Sequence, residues 1–137
     1  MNNPNPITVT TQDHQRLNAL AAHKASRSNE TFEALAYELE RAQVVPPTEI
    51  PANVVTMRSR VIVRDNDSGK EQIYTLVYPG EEDIAIGYIS ILTPVGAALI
   101  GLAEGQSLSW TTRDGRTKEL TVRSILYQPE ADGRFDL

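Results

Sequence analysis

Val44-Val45-Pro46-Pro47-Thr48-Glu49-Ile50-Pro51 is the stretch on which the fold turns. Its paired prolines lack backbone donors and disfavour helix in the residue just before them, so no regular element runs through. On the N-terminal side the periodicity is helical: Leu17, Leu20, Ala21 and Lys24 share one stripe, and Phe32, Leu35, Ala36, Leu39 and Ala42 form a second, cleaner one. On the C-terminal side the period is two, with β-branched runs parted by turn residues. The change of period predicts two units, a helical one over residues 1–46 and a sheet one over residues 47–137.

In the first unit Thr10 and Asp13 have the spacing of a capping box, and Ser28 or Asn29 can cap a second helix whose Glu30 and Glu33 complement its positive end. The break at 26–29 is short enough to force the two helices antiparallel, each about 14 residues or roughly 21 Å long. Helices of that length draw most of their stability from packing, so the pair must lean on the second unit. There the pattern predicts strands at 54–64, 72–78, 84–92, 107–112 and 118–126, with turns at 65–69 and 113–116. Between them, Thr93 as cap, Pro94 at the first helical position and Gly101 as stop mark one short helix. The fold class expected is α+β: a helical hairpin plus a largely antiparallel sheet covered by one short helix.

At 137 residues the chain has the size of one ordinary domain, or of one small domain with a short appendage. Its 40% apolar and 23% charged residues are those of a folding sequence. A formal charge of −5 speaks against a free-standing nucleic-acid binder, which needs surplus Lys and Arg to neutralise phosphates, and favours a protein partner. Cysteine is absent, which excludes disulfides, thiolate nucleophiles and Cys-ligated metals. Met1 to Thr11 lacks the flanks and apolar stretch of a signal peptide, and the apolar run from Ile84 to Leu102 is too interrupted to span a bilayer. Cytoplasm is the expected location.

Few residues suggest chemistry. His14 and His23 lie nine positions apart on one predicted helix and point to opposite sides, so they cannot share a metal, and both read as solvated surface. No G-x-S-x-G, P-loop or dinucleotide fingerprint is present. Glu81-Glu82-Asp83 lacks the alternating ligands of a calcium loop and reads as a polar turn. Arg58, Arg60 and Arg64 alternate along the first predicted strand and can share one face, for a partner or for neighbouring acids. Trp110 and Tyr127 read as core or half-core. No catalytic, cofactor-binding or metal-ligating residue is expected.

Pro94-Val95-Gly96-Ala97-Ala98-Leu99-Ile100-Gly101, followed by Glu104-Gly105-Gln106, resembles the S-P-L-G-x-A-L-L-G…V-G-D segment of the bacterial transcript-cleavage factors GreA and GreB. Leu39-Glu40-Arg41-Ala42, the run from Val54 to Val61, Thr75-Leu76-Val77-Tyr78-Pro79 and Tyr127-Gln128-Pro129-Glu130-Ala131 narrow the resemblance to one branch, the regulators of nucleoside diphosphate kinase. The resemblance implies a short antiparallel coiled coil joined to an FKBP-like domain that docks on RNA polymerase at the mouth of the secondary channel. For the docking surface it implies Thr93, Pro94, Val95, Ala98 and Leu99, with Leu92 where the cleavage factors carry an acid. The hairpin tip would be Arg27, Ser28, Asn29 and Glu30. In the cleavage factors paired acids at that tip help hold the polymerase's magnesium. Here there is one carboxylate beside Lys24 and Arg27, and the arms are short, so polymerase binding carries over and cleavage stimulation does not. The expected role is a non-enzymatic regulator that competes for the channel entrance and touches nucleic acid at most through the polymerase. A cleavage factor using Glu30, or a protein acting on nucleoside diphosphate kinase directly or through its expression, is the alternative. Prolyl isomerase activity is disfavoured, since such sites are walled by aromatics and only 6% of this chain is aromatic.

Overall fold

The computed structural model describes residues 6–22, 30–111 and 114–134. Strand β1 (Thr8–Thr10) leads directly into helix α1 (Thr11–Ala22); helix α2 (Glu30–Arg41) leads into β2 (Gln43–Val45), and β1 pairs with β2 in parallel. Leu17 of α1 and Leu35 and Leu39 of α2 are fully buried, the core positions that the two apolar stripes predict. Leu20, Ala36 and Ala42 are half-buried, while the side chains of Ala21, Lys24 and Phe32 lie outside the described residues. His14, near the start of α1, bonds through Nε2 to the Leu39 carbonyl at 3.1 Å near the end of α2, with Asn18 on its other side. His14 is therefore a partly buried tie between the helices and not the solvated residue expected. His23 and the predicted caps Ser28 and Asn29 lie outside the described residues.

The second region is a five-stranded sheet in the order β5-β4-β3-β7-β6, built from β3 (Arg60–Asp65), β4 (Glu71–Val77), β5 (Tyr88–Ser90), β6 (Ser107–Thr111) and β7 (Thr117–Tyr127). Helix α3 (Pro94–Leu99) packs on its inner face. Alternation along β3 sends Val61 and Val63 into the core and Arg60 and Arg64 to solvent. The core is continuous: Leu17, Leu35 and Leu39 meet Val61, Leu76 and Leu99 in one cluster, so the short helices are stabilised by burial against the sheet and against α3.

Three details differ from the sequence reading. The sheet is not wholly antiparallel, because β5 runs parallel to β4. The third strand is short: Ile84–Ile86 is a single 3₁₀ turn capped by Asp83, whose carboxylate accepts from Ala85 N at 3.1 Å, and left-handed Gly87 ends it. The first strand begins at Arg60 and not at Val54, because residues 56–59 form a tight turn closed by Ser59 N donating to Thr56 O at 3.0 Å. Arg58 occupies the turn position with φ +65°, the only positive φ at a non-glycine residue among those described. The three arginines thus do not share a face. Arg58 sits in the turn, Arg60 and Arg64 on the outer sheet face.

Candidate functional site

The loop before α3 is held by its own hydroxyls. Thr93 Oγ1 accepts from Gly96 N at 3.1 Å and donates to Ser90 O at 2.7 Å, while Thr93 N donates to the same carbonyl at 3.1 Å and Ser90 Oγ accepts from Leu92 N. Gly96 lets the helix approach this closely, since a Cβ there would stand 2.2 Å from Ser90 O. Pro94 is left exposed and Val95 half-buried, and both border a cleft of about 400 Å³ floored by Val63 and Leu120 with Tyr74 and Lys118 on its walls. Lys118 lies 3.9 Å from Asp65. Burial, with the Asp65 charge nearby, pushes the Tyr74 hydroxyl above its ordinary value. Of the five docking residues expected from sequence, Pro94 and Val95 line this cleft, and Thr93 caps the helix that carries them. Ala98 and Leu99 do not: both are buried in the core, where their packing holds α3 in place and no partner can reach them. Arg27, Ser28 and Asn29 lie outside the described residues; Glu30 opens α2, and its side chain is not described.

A second site, invisible in the sequence, joins the helices to the sheet. Asp13 is buried at the start of α1 and its carboxylate faces away from its own helix. Oδ2 accepts from Met57 N at 3.0 Å and Oδ1 from the Tyr78 hydroxyl at 3.3 Å. Only half of the expected capping box forms, with Thr10 Oγ1 accepting from Asp13 N at 3.0 Å. Burial raises the Asp13 pKa to about 6; the Met57 amide opposes this, and the nearby Glu130 charge adds to it. Tyr78 is likewise raised, by burial and then by Asp13. Thr56 Oγ1 donates to Glu130 Oε1 at 2.7 Å, so the 2.8 Å contact between Thr56 and Ser59 hydroxyls must have Ser59 as donor. The turn carrying Arg58 is thereby fastened to α1 on one side and to the C-terminal segment on the other.

Beside this junction an open groove of about 680 Å³ runs between α1 and the end of β4, lined by Arg16, Leu20, Arg58, Tyr78, Pro79 and Glu81. The Arg58 guanidinium stacks 5.3 Å over the Tyr78 ring and pairs with Glu81 at 2.7 Å, which holds the Glu81 carboxyl below its usual range. Among the described residues, no cluster of three or more His, Cys, Asp or Glu could hold a metal, and no helix is long and apolar enough to cross a membrane.

Residues 50–127 match the family model for the transcription elongation factor GreA/GreB C-terminal region, which sets the class of the sheet domain and of the Thr93 loop upon it. Residues 5–45 match the model for the Rnk N-terminus. The regulator of nucleoside diphosphate kinase of Escherichia coli K12 is 39% identical over 129 residues, 94% of this chain and 95% of that protein. The transcription elongation factor GreA of Helicobacter hepaticus is 32% identical over 122 residues, 85% of this chain and 74% of that one. A solved GreA/GreB transcription elongation factor from Nitrosomonas europaea superposes with a TM-score of 0.73 at 39% identity, covering 88% of this chain and 99% of that one. The chain belongs to the GreA/GreB transcription elongation factor family, in the branch of the regulators of nucleoside diphosphate kinase, or Rnk.

Proposed function

We propose that this protein is a bacterial transcription regulator that binds RNA polymerase near its secondary channel, competes there with Gre factors and does not stimulate transcript cleavage. In this reading residues 1–46 form a short antiparallel coiled coil directed into the channel, and residues 47–137 an FKBP-like domain that docks through Thr93, Pro94 and Val95. The observation that carries it is the hydroxyl-pinned Thr93 loop beside a cleft with an apolar floor and a polar rim, on a domain that matches the GreA/GreB C-terminal model. One fact of sequence and one of structure support the lack of cleavage. The segment from Lys24 to Glu30 offers one carboxylate against two cations, a poor start for holding a divalent cation through shared oxygens. Among the described residues, helices α1 and α2 have 12 residues each, about 18 Å of helix.

The test is binding of the purified protein to core RNA polymerase with a Gre factor as competitor, reading RNA cleavage on backtracked complexes in the same tubes. Competition without cleavage is expected, and Thr93→Ala with Arg27→Glu should weaken binding by more than the roughly 1 kcal/mol of stability lost with the Thr93 cap accounts for. Cleavage stimulation that depends on Glu30 would instead make it a cleavage factor. Failure to bind polymerase would turn attention to nucleoside diphosphate kinase, which names the Escherichia coli relative.

A further inference from the structure

Arg58 stands at φ +65°, where glycine or asparagine would sit with less strain. Nothing in the turn calls for an arginine. Ser59 N and Thr56 O close it, and the Thr56 and Ser59 hydroxyls with Glu130 fasten it. Arg58 itself contributes a backbone bond, N donating to Leu76 O at 2.6 Å, which any residue but proline would make. A strained position filled by a residue that the turn does not need directs attention to the side chain.

That side chain lines the groove between α1 and the end of β4 and is held in place there. Its guanidinium lies 5.3 Å over the Tyr78 ring, and its Nη2 donates to Glu81 Oε2 at 2.7 Å, while Glu81 Oε1 accepts from Tyr78 N at 3.2 Å. Among the described residues Glu81 engages Nη2 alone, which leaves the other edge of the fork for a second oxyanion. Arg16, exposed on α1, stands at the hydroxyl end of the same ring, where its charge works against the upward shift of that hydroxyl. Asp13 meets the hydroxyl from the buried side, with its oxygens taken by Met57 N and Tyr78. Two guanidiniums therefore face the groove against the single carboxylate of Glu81, on a chain whose formal charge is −5. Leu20 and Pro79 supply an apolar wall, and the volume of about 680 Å³ at the seam of helix and sheet is that of a small-molecule site. We infer that this groove binds a small organic oxyanion, a phosphate or carboxylate carrying an apolar or planar body, with Arg58 and Arg16 on the charged group and the body against Leu20 and Pro79. Such a ligand touches α1 and the sheet at once, so it tightens the junction between them.

The experiment titrates the full chain with inorganic phosphate, phenyl phosphate and phenylacetate by calorimetry at low salt, and follows the melt with each. At least one of the two body-bearing probes should bind about tenfold more tightly than inorganic phosphate and raise the melt, as a ligand of the folded state does. Whichever of them binds more tightly tells a phosphate ligand from a carboxylate one. Arg58→Asn and Arg16→Gln should each weaken that probe about tenfold, the loss of one charge-assisted contact. Asn tolerates the left-handed turn, so the Arg58→Asn melt without ligand should stay near the parent's. Arg123→Gln, which removes an exposed cation paired with Glu71 far from the groove, should bind as the parent does. The inference is overturned if neither body-bearing probe exceeds inorganic phosphate, or if Arg123→Gln weakens binding as much as the groove variants, which would mark a diffuse attraction of anions. It is overturned as well if Arg58→Asn lowers the melt sharply while Arg16→Gln binds like the parent, since Arg58 would then be a brace for the turn.

Discussion

Helices α1 and α3 start with the same device and put it to opposite uses. Each is capped by a threonine, Thr10 or Thr93, whose hydroxyl oxygen accepts from the backbone N–H three residues on, at 3.0 and 3.1 Å. At α1 the cap is buried, and the third residue is Asp13, whose carboxylate crosses to Met57 and Tyr78 and locks helix to sheet. At α3 the cap is half-buried, and the third residue is Gly96, chosen by lack of space against Ser90. One end is an internal fastener, the other a shaped surface beside a cleft. A local capping pattern therefore says where a helix begins and not what its first turn is for; that depends on what the first turn faces.

The sharpest way to break the surface end is Gly96→Ala. A methyl 2.2 Å from a backbone oxygen cannot be accommodated by a side-chain move, so α3 or the end of β5 must shift, and Ala97, Ala98 and Leu99 lose their places in the core. A loss of at least about 3 kcal/mol is expected, at the upper end for overpacking, measured by denaturant unfolding. A loss under about 1 kcal/mol would show that the loop has slack and would weaken its reading as a rigid docking edge.

The buried end breaks by pH. The Asp13 pKa is about 6 in the fold against 3.8 in the unfolded chain, so the folded state holds the proton more tightly. Asp13's contribution is therefore full below about pH 4 and is lost as pH rises through about 6; the difference of roughly 2 units corresponds to up to about 3 kcal/mol. Asp13→Asn keeps an oxygen for Met57 N–H and cannot ionise. It should be less sensitive to pH than the parent between pH 4 and 8, with an advantage that grows as pH rises through about 6 and is constant above about 7. Parallel stability–pH curves for the two proteins would refute the burial of charge at this site.

The helix at 94–99 was legible in the sequence because Thr93, Pro94 and Gly101 each mark a backbone requirement that is local. So were the core positions Leu17, Leu35 and Leu39, which follow from helical period alone. Three features were not. Residues 56–59 carry no Gly, Pro or Asn, and their turn is made by the hydroxyls of Thr56 and Ser59 with Glu130, 74 positions away in the chain from Thr56. Ile84-Ala85-Ile86 reads as strand by apolar content, but Asp83 as cap and left-handed Gly87 close it into a turn that exposes what a strand would have buried. Asp13 was legible as a cap residue and not as a fastener, because its partners Met57 and Tyr78 come from the other region. Of the residues expected to dock, Thr93, Pro94 and Val95 lie where a partner could meet them, whereas Ala98 and Leu99 were drawn by a motif that mixes surface with core.

The smallest effect is the most direct comparison of the two caps. Thr10→Val and Thr93→Val each remove one hydroxyl at nearly constant volume, and each leaves a backbone N–H without its acceptor. At Thr10 that donor is Asp13 N, shut away from water, so the full desolvation penalty falls on the fold, about 2 kcal/mol. At Thr93 the orphaned Gly96 N lies in a half-buried loop, and the loss should be about 1 kcal/mol, the ordinary cost of a missing N-cap. The two variants should also differ in kind. Thr93→Val also removes the tie to Ser90 O that holds the loop, so it should lower polymerase affinity by more than its stability loss accounts for, whereas Thr10→Val should lower stability with affinity unchanged. Equal effects of the two on both measurements would mean that the caps are interchangeable and that the Thr93 loop has no special bearing on a partner.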